Sequence, residues 1–469
     1  MRWRAERIIA GVLVLCMALL GTGLAFEIRK LAEAEDSPGI ARGPDPKPTK
    51  SDAPDASAKL EPASEEECAF NPPVPAEPIE DEGANPRAQI AAIANRVEQL
   101  RQLTFDHEVN PVFQDGDEMA AELTEKFLKG YSASAADEDK RILAALGAVP
   151  PATNLRHVAA EGLGGDVLGY YVPKSEKLLV NKSGDDESLG GGEKFILSHE
   201  LEHALADQSL GLPKDDDTRP SEADATTARQ ALIEGDATIA MLQYATTSLT
   251  DAERLSLATD PALVGSSSLD DAPYFVRKTF EFPYDAGAKF VCALYLNGGW
   301  QAVDRAYRKP PVSTAQILFP QRYLDGVTPE NPRDPHGPDR TWLERPTESL
   351  GAADLLWLLE APGGDASHAL DDAEERVASL SGGEAHLFTR GRDSAVALDL
   401  VERKGDDLLC DSIEAWYRVS FPTERKFKRA DGERFAIASN SQSAVLRCVG
   451  RQVRLGIAPA IPAARAVAR

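Results

Sequence analysis

The sequence predicts an α+β protein: a mostly helical domain with a small antiparallel sheet, followed by a small C-terminal α+β unit. Three observations lead there. Apolar residues recur at helical spacing along much of the chain, as in Ile90, Ile93, Val97 and Leu100. The runs Val167-Leu168-Gly169-Tyr170-Tyr171-Val172 and Lys177-Leu178-Leu179-Val180-Asn181 lie a short link apart and read as a hairpin. Near the C-terminus, strand-like runs at about 385–389, 395–401, 435–438 and 444–448 surround a helical pattern near 406–417.

The 469 residues, 42% of them hydrophobic, have room for two or three domains with buried cores. A net charge of −25 excludes nucleic acid as a partner, because its phosphates would be repelled, and disfavours acidic polymers as substrates.

In chain order, Arg2, Arg4 and Arg7 precede an uncharged apolar run from Ile8 to Phe26. This is the pattern of an export signal over residues 1–26, either cleaved near Gly23-Leu24-Ala25 or kept as a signal anchor. The basic flank places everything after it outside the cytoplasm, so the body is expected to be extracytoplasmic, secreted or membrane-anchored. Residues 27–86 are rich in Pro, Ala, Asp and Glu and read as a disordered tether, with a mean reach on the order of 40 Å if the signal is uncleaved. The main domain is expected over 87–325 and a proline-rich connection over 326–349. The C-terminal unit takes 350–460, and a disordered tail 461–469. Helices are predicted at about 117–130, 135–145, 221–244, 274–280, 285–296 and 301–307, with a strand near 109–113. Ser221 and Asp224 form a capping-box pattern at the start of the long helix.

Export changes the meaning of Cys68, Cys292, Cys410 and Cys448, which then sit where disulfides persist. Cys410 and Cys448 share one segment and form the preferred pair. Cys68 with Cys292 follows by elimination, although Cys292, in an apolar helical run, reads equally as a free buried thiol.

Chemistry concentrates in Phe195-Ile196-Leu197-Ser198-His199-Glu200-Leu201-Glu202-His203-Ala204-Leu205-Ala206-Asp207, an HExxH motif within an apolar helical stripe. Residues four apart share a helix face, so His199 and His203 can hold one zinc ion, with Glu200 in a general-base position beside them. The order, strand and then motif-bearing helix, is that of zinc proteases and predicts a zincin-like metalloprotease domain. A catalytic zinc needs a third ligand. An aminopeptidase-like spacing lands on Glu222, whose place in the first turn of a helix is also explained by the helix dipole. Glu234, in Ala231-Leu232-Ile233-Glu234-Gly235-Asp236-Ala237, is favoured, because a carboxylate among small apolar residues needs a cation or partner. Gly235 suggests close approach by a neighbouring group. Asp236 and Asp207 are candidates to orient the ligands, or ordinary solvated residues. Tyr284 and Tyr323 are candidate oxyanion donors, and the remaining histidines (His107, His157, His336, His368, His386) read as scattered surface or core residues.

The run His199 to Gln208, followed by Ala231 to Ala237, resembles a family of exported prokaryotic HExxH proteins of the gluzincin type of zinc metalloprotease. The likeness extends from Val97-Glu98-Gln99-Leu100-Arg101 through Leu168-Gly169-Tyr170-Tyr171 to Gly298-Gly299-Trp300 and Pro310-Pro311-Val312-Ser313-Thr314. It implies His199, His203 and Glu234 as ligands and Glu200 as base. Members often carry His before the proline where this chain has Phe319-Pro320, a departure that bears on activity. The expected function is hydrolysis of a peptide or protein substrate by a zinc-bound water, with membrane association through the N-terminal segment if it is uncleaved. The alternative is a tethered extracytoplasmic binding protein with a structural zinc or an inactive protease fold.

Overall fold

A computed structural model describes residues 60–79, 85–163, 169–181, 188–212, 220–259, 269–332, 337–439 and 441–469. The expected signal (1–26), the tether before residue 60, its residues 80–84 and His336 lie outside the described residues. Among the described residues no helix is long and apolar enough to cross a membrane.

The first described segment corrects the reading of 27–86 as a disordered tether. Residues 60–79 carry a short helix, α1 (Glu65–Ala69), and lie against the body. Cys68 is bonded to Cys292. Carbonyls of the segment accept hydrogen bonds from Gln243 Nε2, Thr246 Oγ1 and Tyr295 Oη, and its own Glu77 and Ile79 amides donate to Thr247 and Ser248. Its composition offers little apolar surface, so a backbone docked on side chains 160 or more residues away left no periodic signal.

The helical body follows. Asn85 caps α2 (Pro86–Arg101), its side chain accepting from Ala88 N with Pro86 in the first turn. Then come β1 (Pro111–Gln114), α3 (Gly116–Gly130), α4 (Ala133–Ala145), α5 (Leu155–Leu163), β2 (Gly169–Val172) and β3 (Lys177–Asn181). The hairpin forms as expected, with Tyr170 opposite Leu179. The sheet is mixed rather than antiparallel, however, because β1 pairs parallel with β3, giving the order β1-β3-β2. Parallel neighbours need a long crossover, here supplied by α3, α4 and α5.

The next two helices form the centre. α6 (Gly191–Leu210) is buried from Gly191 to Ala206 apart from Glu193, and α7 (Ala223–Ser248) is buried along nearly its whole length. The Ser221/Asp224 capping box does not form: Asp224 Oδ1 accepts from Thr314 N and Thr314 Oγ1, which holds its carboxylate away from the helix end. After α8 (Asp251–Leu257), the three helices expected over 274–307 are one, α9 (Tyr274–Arg308). Pro283 is absorbed within it, whereas Gly298 and Gly299 make a real kink, with Gly299 at φ 63°. α7 and α9 cross glycine to glycine. A Cβ on Gly235 would lie 2.2 Å from the Gly287 carbonyl carbon, and one on Gly287 would lie 2.1 Å from Ala231 O. Gly235 therefore answers to the backbone of α9.

α10 (Thr314–Leu318) and α11 (Pro320–Leu324) lead to the region expected to be a bare connection. It contributes two short strands, β4 (Leu343–Glu344) and β5 (Glu348–Ser349), both paired with β6. α12 (Ala352–Glu360) and α13 (Ala373–Ala378) precede β6 (Leu380–Arg390), β7 (Asp393–Glu402), α14 (Leu409–Ser420), β8 (Arg425–Lys426), β9 (Glu433–Ala438), β10 (Ser443–Val449) and β11 (Gln452–Ala458). The sheet order is β4-β6-β7-β11-β10-β9-β8, antiparallel throughout, and the Cys410–Cys448 disulfide joins α14 to β10. The expected disordered tail is instead α15 (Ile461–Val467), packed so closely on β11 that a Cβ on Gly456 would lie 2.1 Å from Ala464 O. Ile461, Ala464 and Val467 bury against Ala397, Val445 and Ala458, an apolar stripe of small residues too short to announce a helix. The main core runs without interruption from Leu201 and Leu232 of the helical body through Trp357 to Leu387, Trp416 and Leu455 of the sheet.

Candidate metal centre

α6 turns His199 and His203 to one side, as four-residue spacing on a helix requires. Their rings stand edge to face with centroids 4.5 Å apart. α7, packed alongside, brings Glu234 between them: its Oε2 lies 3.2 Å from His199 Nε2 and 3.3 Å from His203 Nε2. All three side chains are buried, and their ligand atoms fall within 4.8 Å of one another. Two imidazole nitrogens and one carboxylate oxygen make a donor set that could hold a metal ion. Among the described residues no fourth His, Cys, Asp or Glu joins the group.

Both imidazoles turn Nε2 toward Glu234, which leaves each Nδ1 on the side of its ring away from the cluster. His199 Nδ1, His203 Nδ1 and Glu200 Oε1 are buried without a partner among the described residues. Glu200 is not a ligand. Its Oε2 accepts a 2.8 Å bond from the backbone N–H of Tyr171 on β2, the outer strand of the small sheet, while Oε1 has no partner among the described residues. Strand and motif helix are thus joined through the expected base itself.

Charge is distributed unevenly. Burial, with the neighbouring His203, lowers His199 to about 4. Burial alone would lower His203 as well, but the Glu234, Glu200 and Glu202 carboxylates lift it to about 9. Burial would raise Glu234, yet the two imidazoles hold it down at about 2. Glu200 has only partial compensation from His203, and burial pushes it up to about 8. Near neutral pH these shifts leave a charged His203 against an ionised Glu234, a neutral His199, and a Glu200 that tends to hold its proton.

The other candidates separate clearly. Glu222 is at the start of α7, about 18 Å along the helix axis from Glu234 at 1.5 Å per residue, and is excluded as a co-ligand. Asp207 turns away from the ligands, accepting from Tyr171 Oη and Leu212 N. Asp236 points to the far side of α7 from Glu234 and takes a bidentate bond from Arg101. Tyr284 is near the centre, its ring 6.1 Å from that of His199, whereas Tyr323 donates to Lys309 O and packs on Phe290. Phe319 lines a cavity with Phe282 and Trp357, away from the ligands. His107, His157 and His368 are exposed and paired with nearby acids, and His386 is buried in the C-terminal sheet against Thr347 and Glu384. Tyr171, Arg101 and Glu202 were not anticipated. The available signal for Arg101 was its place four residues after Val97, in line with the apolar stripe of α2. No family model, curated protein or solved structure matches the chain.

Proposed function

We propose that this chain is an exported zinc-dependent metallopeptidase with a zincin-like, gluzincin-type site. The observation that carries the reading is the convergence of His199, His203 and Glu234 beside a non-ligating, desolvated Glu200. A structural zinc site closes with four protein ligands, whereas three with an adjacent carboxylate leave room for water and substrate. The nitrogen and oxygen donors suit zinc, with His199, His203 and Glu234 as ligands. Zinc, when bound, supplies Lewis acidity that polarises a peptide carbonyl and acidifies the attacking water.

The chain's own residues do the rest. Glu200, anchored through Oε2 by the Tyr171 amide, has Oε1 available to take a proton from water and pass it to the leaving amine. Burial raises its affinity for a proton, and a dication held by the three ligands would act in the opposite direction. Two disulfides support an oxidising compartment outside the cytoplasm.

The test is cleavage of a peptide library by the zinc-loaded protein beside Glu200→Gln. Cleavage by the parent and its loss in the variant is the expected result. Equal cleavage by both would refute the role of Glu200, and zinc bound without any cleavage would favour a binding protein.

A further inference from the structure

Behind the ligands lies a second buried cluster that the reaction does not use. Arg101, at the last turn of α2, is fully buried. Its Nε and Nη2 donate to the two Asp236 carboxylate oxygens at 2.7 and 2.9 Å, and Nη2 also donates to Asp304 Oδ1 at 2.9 Å. Nε stands 3.6 Å from Glu202 Oε1. The Trp300 ring, set by the glycine kink of α9, lies 4.4 Å from the guanidinium carbon. One side chain thus connects four helices, and two of them carry every candidate ligand: Glu202 adjoins His203 on α6, and Asp236 is two residues from Glu234 on α7.

A buried guanidinium surrounded by three carboxylates is a costly arrangement if its purpose is only stability, since well-packed apolar residues do as well or better. Its position gives it another use. Glu202 Oε2 faces His203 Nδ1 at 3.9 Å, and both atoms are buried without a hydrogen-bond partner among the described residues. An adjustment of about 1 Å brings them to bonding distance. His203 Nε2 points the other way, to Glu234. A ligand imidazole commonly gives its second N–H to a carboxylate, which fixes its tautomer and orientation. Formal charge points the same way: Glu202, Asp236, Asp304 and Glu234 outnumber Arg101, and a dication at the ligands would offset part of the excess.

We propose that Arg101 and Glu202 are positioning residues of the metal centre: Arg101 sets the separation of α6 and α7 and holds Glu202, whose carboxylate receives the His203 Nδ1–H and orients Nε2 toward the metal. This rests on the reading of His199, His203 and Glu234 as metal ligands.

The experiment uses the full chain and its variants Glu202→Gln, Arg101→Lys and Glu234→Ala. Zinc affinity is measured by chelator competition, the absorption spectrum is recorded with cobalt(II), and thermal unfolding is followed without metal. The expected result for Glu202→Gln, a near-isosteric change, is a dissociation constant raised about 10–100-fold with an altered cobalt spectrum and an unchanged metal-free melting temperature. Arg101→Lys, which loses the bidentate fork, should show the same spectral change even if it also melts earlier. Parent-like affinity and cobalt spectrum in Glu202→Gln, while Glu234→Ala loses the metal, would overturn the positioning role and leave the ligand assignment standing. No metal bound by the parent would overturn both.

Discussion

Glu200 carries the sharpest residue-scale expectation. If it is the proton shuttle, Glu200→Gln retains the bond from Tyr171 N and the local packing, yet turnover falls by about 10²–10⁴-fold. Steady-state kinetics on any cleaved peptide, with zinc content confirmed, checks this. The shared face of His199 and His203, with Glu200 beside them, was legible in the sequence because their relation is local: four residues on one helix fix that face without reference to the rest of the fold. Glu234 was legible by a different route, as a carboxylate that its apolar neighbours made expensive. The Arg101 cluster was not legible, since Asp236, Glu202 and Asp304 reach it from positions 101 to 203 residues away and each alone reads as a solvated charge. Nor did spacing reveal that Asp207 would be taken by Tyr171, a contact set by how β2 lies along α6.

At the scale of elements, the site depends on how closely α7 can approach its neighbours. The crossing of α7 and α9 is a backbone contact at Gly235 and Gly287, one residue from Glu234 and three from Tyr284. Gly235→Ala would push a methyl group into the α9 backbone, and rigid main chain, unlike a flexible side-chain tip, has little room to give. The helix propensity of Ala recovers about 1 kcal/mol, but overpacking costs typically 1–3 kcal/mol, so the expected outcome is a net loss, read as a lower denaturant midpoint, together with weaker metal binding. A midpoint equal to or above the parent's would show that the crossing tolerates the methyl group. The sequence anticipated a close approach at Gly235 but not its partner, and it divided α9 between 280 and 285, where the helix in fact continues through Pro283 because tertiary packing overrides the proline. The order of the C-terminal sheet was beyond reach because β11 also pairs with β7, some fifty residues earlier in the chain, and no local pattern announces that partner.

Across the whole molecule, the helical body and the C-terminal sheet share one core, and the joint between them holds two acids. Asp224 of α7 bonds Thr314, and Asp354 in the first turn of α12 accepts from Gly351 N. Desolvation, with Asp224 nearby, raises Asp354 to about 7, well above an unfolded aspartate near 3.9. The folded protein then binds more protons than the unfolded chain between about pH 4 and 7, so this group makes stability fall as pH rises through that window. Asp354→Asn removes the effect. Its stability relative to the parent is expected to increase from pH 4 to pH 7 and level off above, and a difference that is flat with pH in denaturant titrations would contradict the assignment. The strap of residues 60–79 belongs to the same scale. Its disulfide to α9 and its bonds to α7 tie the segment to the two helices that cross at the site, which argues for using the full chain in every measurement.

That applies first to metal content, the measurement on which the account turns. The purified full chain, dialysed against buffer with trace zinc and assayed by elemental analysis, is predicted to hold one zinc per chain, and Glu234→Ala to hold none while Glu222→Ala keeps it. A parent protein that holds no zinc, or a Glu234→Ala variant that keeps it, would contradict the assignment of His199, His203 and Glu234 as a metal centre.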